Sequence, residues 1–463
     1  MKMLLFLFFV LLFSQNIFSQ DAREVDAMLA FKHRESNILL RFKENTPVET
    51  KEMIFQKLGA VSSKEYQVVA DLYLVTLPAR ADLKESLLWL RENEEVLYSE
   101  PNYIRKLHKE PNDTLYQELW GMKKIKAPSS WDISTQSDMI VGVIDSGIVY
   151  DHEDLAGNIW VNTDELNGIA GQDDDGNGYV DDIYGYDFAN GDSNPTDDDS
   201  YHGTHIAGII GALGNNNKGV AGVCWSVKIM ALKTHVNNEG TVAHIIDAIQ
   251  YAVKKGARVL NMSYGQNSFS QSEKDAIKEV NKKSVACIAS AGNESSDNDI
   301  TPVYPASYSL VNLIAVAASD ETDKLAYFSN FGAKSVHLLA PGEGIFSTIG
   351  GGYEAKNGTS MAAPHVTGSV ALLYHRFPRL TPEQILGKIL RNVTKLENGR
   401  QNTISNGQIN LLNAMNDDEE VTDDYKSGGG GSGCSSSHNS NSINVYNIIP
   451  YAILLFLFLW KKR

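Results

Sequence analysis

The chain has 463 residues, a formal net charge of −16 at pH 7 and three cysteines. Hydrophobic residues at 43% and charged residues at 21% are the balance of a folded protein rather than a disordered one, and the length allows one large core plus smaller segments. The negative charge weighs against nucleic acid or an anionic membrane surface as the main partner, and three cysteines exclude a disulfide framework.

In chain order, residues 1–20 read as a secretory signal. Lys2 precedes the apolar run 4–13, and Ser19 is a small residue before a cut near Gln20. Such a run is too short to span a hydrocarbon core of ~30 Å, so the expectation is export, to the cell surface or the medium. Residues 37–107 then alternate patterns. A strand is expected at 37–43, a helix at 48–58 closed by Gly59, one or two strands within 66–77, a second helix at 83–90 and a last strand at 96–104. This β-α-β-β-α-β order predicts a small α+β domain of the split βαβ type.

Residues 112–415 carry continuous apolar runs at 139–144, 259–262 and 285–289, as expected of parallel strands buried on both faces. Residues 241–255 place Ile245, Ile246, Ile249 and Val253 on one helical face ahead of Gly256. Strands separated by helices predict an α/β doubly wound, mostly parallel sheet flanked by helices. Cys287 lies within an apolar run, where a thiol packs as a small hydrophobe; a Cys224–Cys287 bridge stays open.

In open α/β sheets functional groups gather at the carboxyl ends of strands. The first run leads into Asp145-Ser146-Gly147 and the third into Ser290-Ala291-Gly292-Asn293. Two helix starts, His202-Gly203-Thr204-His205 and Gly358-Thr359-Ser360, add an imidazole and a hydroxyl. A serine is a poor nucleophile until a base takes its proton, and a helix N-terminus aims N–H groups at any oxyanion formed there. His205, one turn beyond His202, reads as packing or support.

Between these motifs lies an acidic loop. Asp173, Asp175, Asn177 and Gly178 fit positions 1, 3, 5 and 6 of a calcium loop, with Tyr179 offering its carbonyl. Tyr184 stands at the twelfth position in place of the bidentate glutamate, so Asp181 or Asp182 would have to substitute; the alternative is a solvated acidic loop. Residues 416–442 turn acidic and then Gly/Ser-rich, a flexible linker. Residues 443–463 end the chain with an apolar run, interrupted by Pro450, and a basic cluster. Sixteen helical residues would reach about 24 Å, short of the ~30 Å core.

Val143-Ile144-Asp145-Ser146-Gly147, His202-Gly203-Thr204-His205 and Gly358-Thr359-Ser360-Met361-Ala362-Ala363-Pro364 together resemble the three motif blocks of the subtilisin-like serine proteases. The resemblance implies that Ser360 is the nucleophile, His202 the general base, Asp145 its orienting carboxylate and Asn293 the side-chain oxyanion donor. It implies further that Ser263-Tyr264-Gly265 and Ser290-Ala291-Gly292 flank an extended protein or peptide substrate, giving broad endoproteolysis, with Tyr264 and Val303 shaping side-chain pockets. Residues 37–107 would be a ferredoxin-like, inhibitor-like propeptide, cut between Ile104 and Asn112 by self-processing. Asp154 and Asn215 match a further calcium site of some relatives. The tail, with Gly428–Gly431 and Cys434 ahead of the apolar run, is similar to bacterial C-terminal sorting signals of the GlyGly type, with a sorting protease as partner; a plain membrane anchor is the alternative. The same acyl-enzyme chemistry would also serve a peptide ligase or cyclase, and an inactive fold would serve binding alone.

Overall fold

A computed structural model describes residues 21–105, 110–396 and 402–418. The expected signal, the linker beyond Asp418 and the tail with Cys434 lie outside the described residues, as do residues 106–109 of the stretch expected to hold the propeptide cut. The chain divides into two compact units, Met1–Leu107 and His108–Arg463.

In the first unit, strands β1 (His33–Phe42), β2 (Ser62–Glu65), β3 (Leu72–Thr76) and β4 (Val96–Tyr103) form one sheet in the order β2-β3-β1-β4. All neighbours are antiparallel. Helices Val48–Lys57 and Leu83–Arg91 follow β1 and β3. Alternate residues Ile38, Leu40 and Phe42 of β1 bury against Leu83, Leu87 and Leu90, whose spacing puts them on one helical face. Asp82 starts that helix by accepting from the Glu85 N–H at 3.0 Å. The strand expectation within 66–77 is corrected at its start. Residues 66–71 form the connection, and β2 lies before them, at Ser62-Ser63-Lys64-Glu65. All four β2 residues are exposed, so the strand has no apolar alternation and is held by its backbone ladder to β3 alone.

The second unit is built on a nine-stranded sheet. Its strands are β5 (Gln136–Asp145), β6 (Gly185–Asp187), β7 (Ser226–Lys233), β10 (Ala257–Met262), β11 (Ala286–Ser290), β12 (Leu313–Ser319), β13 (Leu338–Pro341), β16 (Thr394–Lys395) and β17 (Gly407–Gln408). Two hairpins stand apart from it: β8 (His235–Val236) with β9 (Glu239–Gly240), and β14 (Ile345–Ile349) with β15 (Gly352–Lys356). The sheet order is β16-β17-β13-β12-β11-β10-β5-β7-β6, and every pair except β16–β17 is parallel.

Continuous apolar runs arise because both faces are covered. Val141, Val143, Ala286 and Ile288 face the buried helix Thr359–Arg376 and Ile229 faces the helix His202–Gly211, whereas Ile144, Met230, Leu232, Cys287 and Ala289 face helices Val242–Lys254 and Gln271–Val280. Strands β6 and β7 lie to one side of β5, and β10 through β13 to the other. The switch in direction therefore falls between β5 and β10, where α/β sheets open a crevice at their carboxyl edge. Cys224 and Cys287 are free and buried, which closes the question of a bridge between them. Among the described residues no helix is long and apolar enough to cross a membrane.

Candidate active site

The crevice at the switch point collects the groups expected there. Asp145 is the last residue of β5, and its Oδ1 lies 2.7 Å from His202 Nδ1. The same oxygen accepts from the Ser146 N–H at 2.8 Å and the Ser146 hydroxyl at 3.3 Å. An oxygen so surrounded by donors is an ionised acceptor, which puts the His202 proton on Nδ1 and leaves Nε2 free to act as base. Burial works against charge on Asp145 and is the strongest single influence, but the charge and hydrogen bond of His202 outweigh it and hold the carboxyl below its ordinary value. For His202, burial again opposes charge most strongly; the charge and hydrogen bond of Asp145 exceed it and raise the imidazole above its ordinary value.

His202 opens the helix His202–Gly211, and a buried carboxylate absent from the sequence reading fixes that start. Asp197, 1% exposed, accepts from the Tyr201 N–H at 3.1 Å, the Thr204 N–H at 3.1 Å and the Thr204 hydroxyl at 3.0 Å. It caps a helix whose own N-cap residue, Tyr201, offers no side-chain bond. His205 is fully buried, bonds through Nε2 to the Glu354 carbonyl at 3.0 Å, and is pushed down to about 3 by desolvation. It stays neutral and carries the hairpin β14–β15 against the helix.

Ser360 follows Gly358 and Thr359 at the start of the helix Thr359–Arg376, whose residues through Tyr374 are all buried. Gly358 has φ +154, a conformation that a side chain would strain. Pro364 lies inside this helix. It has no N–H to offer the carbonyl four residues back, that of Ser360, and the Ser263 hydroxyl takes its place at 3.1 Å. The Ser360 hydroxyl donates to the Ser263 carbonyl at 3.1 Å, so it must turn from Ser263 to reach His202. Hydrogen bonds of this kind tighten only when substrate is bound.

Asn293 is oriented by the residue before the serine. Its Oδ1 accepts from the Thr359 N–H at 2.8 Å and the Thr359 hydroxyl at 3.0 Å. Since Oδ1 is engaged, Nδ2 points away from these partners and remains an available donor; an ideal Cβ placed on Gly358 would lie 3.6 Å from it. Thr359 was not legible as a functional residue. It is fully buried, and its hydroxyl also accepts from the Gly292 N–H at 3.0 Å. We expect Asn293→Leu to lower kcat by about 10^2–10^3 with little change in KM, a magnitude taken over from oxyanion donors of related enzymes. Thr359→Val should give a smaller loss of the same kind that Thr359→Ser restores. A rise in KM at constant kcat would refute the assignment.

The two expected substrate-flanking segments differ in what they offer. Tyr264 and Gly265 use none of their backbone N–H or C=O groups within the described residues, so they can pair with an extended peptide. The backbone of Ala291 and Gly292 is committed instead. The Ala291 N–H donates to Val316 at 3.0 Å, the Ala291 carbonyl accepts from Asn298 at 2.8 Å, and the Gly292 carbonyl accepts from the Asn330 N–H at 2.9 Å. Ser290 ends β11, and this segment frames Asn293. Val303 packs beside Gly265, where a Cβ would meet its Cγ1 at 2.8 Å.

In the acidic loop, Glu165, Asp173 and Asp175 bring carboxylate oxygens within 4.8 Å of one another. Glu165 is the member that the spacing did not reveal. Asp181 and Asp182 are not part of that cluster, and their oxygens and that of Asn177 hold hydrogen bonds. Asp182 is fully buried and accepts from Asn162 at 2.8 Å, Asn177 at 2.8 Å and the Tyr251 hydroxyl at 2.5 Å. Asp181 accepts from the Gly171 N–H at 2.8 Å, and Asn177 Oδ1 from the Tyr179 N–H at 2.6 Å. At the second expected calcium site, buried Asp154 is met by Asn216 Nδ2 at 2.6 Å and the Val220 N–H at 2.9 Å. Asn215 instead donates its N–H to Asp113 at 2.7 Å.

Comparison with known proteins gives the family. The model of the subtilase family matches residues 136–408. The chain is 34% identical over 378 residues to the thermophilic serine proteinase of Bacillus sp. (strain AK1), covering 80% of this chain and 86% of that one. It is 34% identical over 327 residues to subtilisin-like protease 1 of Plasmodium berghei (strain Anka), covering 66% of this chain and about half, 54%, of that protein. Among solved structures, a protease of Pseudoalteromonas arctica PAMC 21717 aligns with a TM-score of 0.54 at 26% identity, covering 66% of this chain and 99% of that one. The chain belongs to the subtilase family and is a serine-type endopeptidase.

Proposed function

We propose that the protein is an exported, calcium-stabilised endopeptidase that cleaves through an acyl-enzyme on Ser360 and is made with its own inhibitor. The observation that carries the catalytic reading is the 2.7 Å contact of Asp145 with His202 Nδ1, at the sheet edge where Ser360 and Asn293 also sit. His202 Nε2 takes the Ser360 proton as Oγ attacks the scissile carbonyl, and Asp145 stabilises the imidazolium. The Ser360 N–H and Asn293 Nδ2 bind the oxyanion. His202 then returns its proton to the leaving amine, and water releases the acyl group by the reverse sequence. Fluorophosphonate labelling and casein degradation by the unmodified protein, beside Ser360→Ala, test this reading; equal degradation by the two would overturn it.

The α+β unit supports the inhibitory leader, because its element order and antiparallel sheet are those expected of such propeptides. Loss of the leader from isolated Ser360→Ala protein would refute self-processing. Export and a removable C-terminal tail rest on the sequence; intact-mass analysis that finds residues 435–463 on the mature protein would refute removal.

An acidic cluster supports the calcium reading. Glu165, Asp173 and Asp175 offer carboxylate oxygens; Asp175 Oδ2 pairs with the Lys255 ammonium, and buried Asp175 Oδ1 has no hydrogen-bond partner and is the oxygen left for a cation. Such a set suits a hard divalent cation, which here would tie the loop to the helix Thr163–Leu166. At a calcium concentration about 100 times Kd the added stability is about 2.7 kcal/mol, or roughly 4–5 °C in Tm for a domain of this size. A chelator should remove that shift, and Glu165→Gln should abolish the response. Identical melting curves with and without calcium would refute the site.

A further inference from the structure

The groove that holds Asp145, Ser146 and His202 extends past them as a cavity of 540 Å³ to Gln266, Ser268 and Tyr304. Its lining includes the carboxylates Asp145, Glu239 and Glu273 but neither lysine nor arginine. Asp145 is matched by His202. Glu239, on the hairpin β8–β9, is exposed. Glu273 is the unusual member.

Glu273 is the third residue of the helix Gln271–Val280 and only 4% exposed. Its Oε1 accepts from the Tyr264 hydroxyl at 3.3 Å and its Oε2 from the Tyr308 hydroxyl at 2.9 Å. Tyr308 has one proton to give, and the Ser270 carbonyl also lies 2.9 Å from its oxygen. Glu273 thus holds one long bond and one contested bond, both from neutral groups, and no ion pair with any described residue. A buried carboxylate without a cation is costly. Burial is the main influence on its ionisation and pushes the carboxyl up. Tyr264 and Tyr304 line the same cavity, and aromatic faces attract cations.

We propose that this part of the groove selects substrates with a lysine or arginine near the scissile bond, its stem along Tyr264 and Tyr304 and its head group at Glu273. Glu239 adds negative charge at the rim. A guanidinium or ammonium there supplies the donors and the charge that Glu273 lacks. The inference rests on the serine endopeptidase reading of the same groove and adds its substrate class.

The test is a set of fluorogenic peptides in which each position around the cleaved bond is in turn lysine, arginine, norleucine or citrulline. Against the unmodified mature protein, lysine and arginine should exceed their uncharged counterparts at one position by roughly tenfold in kcat/KM. The advantage should shrink with added salt, fall toward unity in Glu273→Gln and fall in part in Glu239→Gln. The scan on unmodified protein and Glu239→Gln decide the matter even where Glu273→Gln does not fold. Fluorophosphonate-labelled, active protein that prefers norleucine everywhere, or a basic preference unchanged in Glu273→Gln, would overturn the inference alone. Absence of both labelling and cleavage would overturn the endopeptidase reading beneath it.

Discussion

Ser360→Ala should lower kcat for peptide cleavage by about 10^6, a size taken over from subtilisin's own serine rather than deduced from this geometry. The loss should appear in kcat, because the hydroxyl bonds to the reacting carbon only along the reaction path. A residual rate above that of water, from the oxyanion donors and substrate binding, should persist. Folding should survive. The substitution removes one hydrogen bond, from Ser360 to the Ser263 carbonyl, worth about 1 kcal/mol and a few degrees of Tm. A folded Ser360→Ala protein that keeps substantial peptidase activity would remove Ser360 from the mechanism.

Asp145→Asn should cost about 10^4 in kcat, the magnitude known for the corresponding change in another serine protease. The amide can present N–H to His202 Nδ1, which moves the imidazole proton to Nε2 and leaves no base facing the serine. The pH profile supplies a second, signed readout. Asp145 raises His202 above its ordinary value against the opposing effect of burial. Activity needs the neutral imidazole, so the acid limb of kcat/KM in the unmodified enzyme should lie above the ordinary histidine range of about 6.5. Removal of the Asp145 charge leaves burial unopposed, and the residual activity should extend to lower pH. For stability the sign is the reverse. A raised histidine contributes stability below its unfolded value and loses it as pH rises through the folded one; a depressed aspartate contributes above its unfolded value and loses it as pH falls. An acid limb that stays in place in Asp145→Asn would separate Asp145 from His202.

The reactive groups were legible because each sits at a boundary that local sequence announces. Asp145 ends an apolar strand, Asn293 follows another, and His202 and Ser360 open helices. The buried stretches of β5 and β11 are apolar up to Asp145 and Ser290, which mark the carboxyl edge, although β10 carries buried Asn261 before its end. The groups that aim these four were not legible. Thr359 reads as part of a helix start, yet its N–H and hydroxyl decide which way the Asn293 amide points. Asp197 reads as one of three consecutive aspartates, and only burial beside the helix start makes it the cap. Strand β2 escaped for the opposite reason: its residues are all polar, and its pairing with β3 comes from backbone groups that every residue carries.

Sequence alone determined the fold class, the order of the motifs and the four residues proposed to react, because periodicity and boundary residues are local properties of the chain. Tertiary structure decided which oxygens meet. It brought Glu165 rather than Asp181 or Asp182 to Asp173 and Asp175, set Asn216 rather than Asn215 against Asp154, and left the backbone of Tyr264 and Gly265 open while consuming that of Ala291 and Gly292. It also placed Glu273 in the groove that holds His202, between two tyrosines and without a cation among the described residues. The physical reason is common to all of these. A hydrogen bond or an ion pair depends on ångström-scale placement of side chains from segments far apart in the chain, and only the packing of both faces of the sheet fixes that placement.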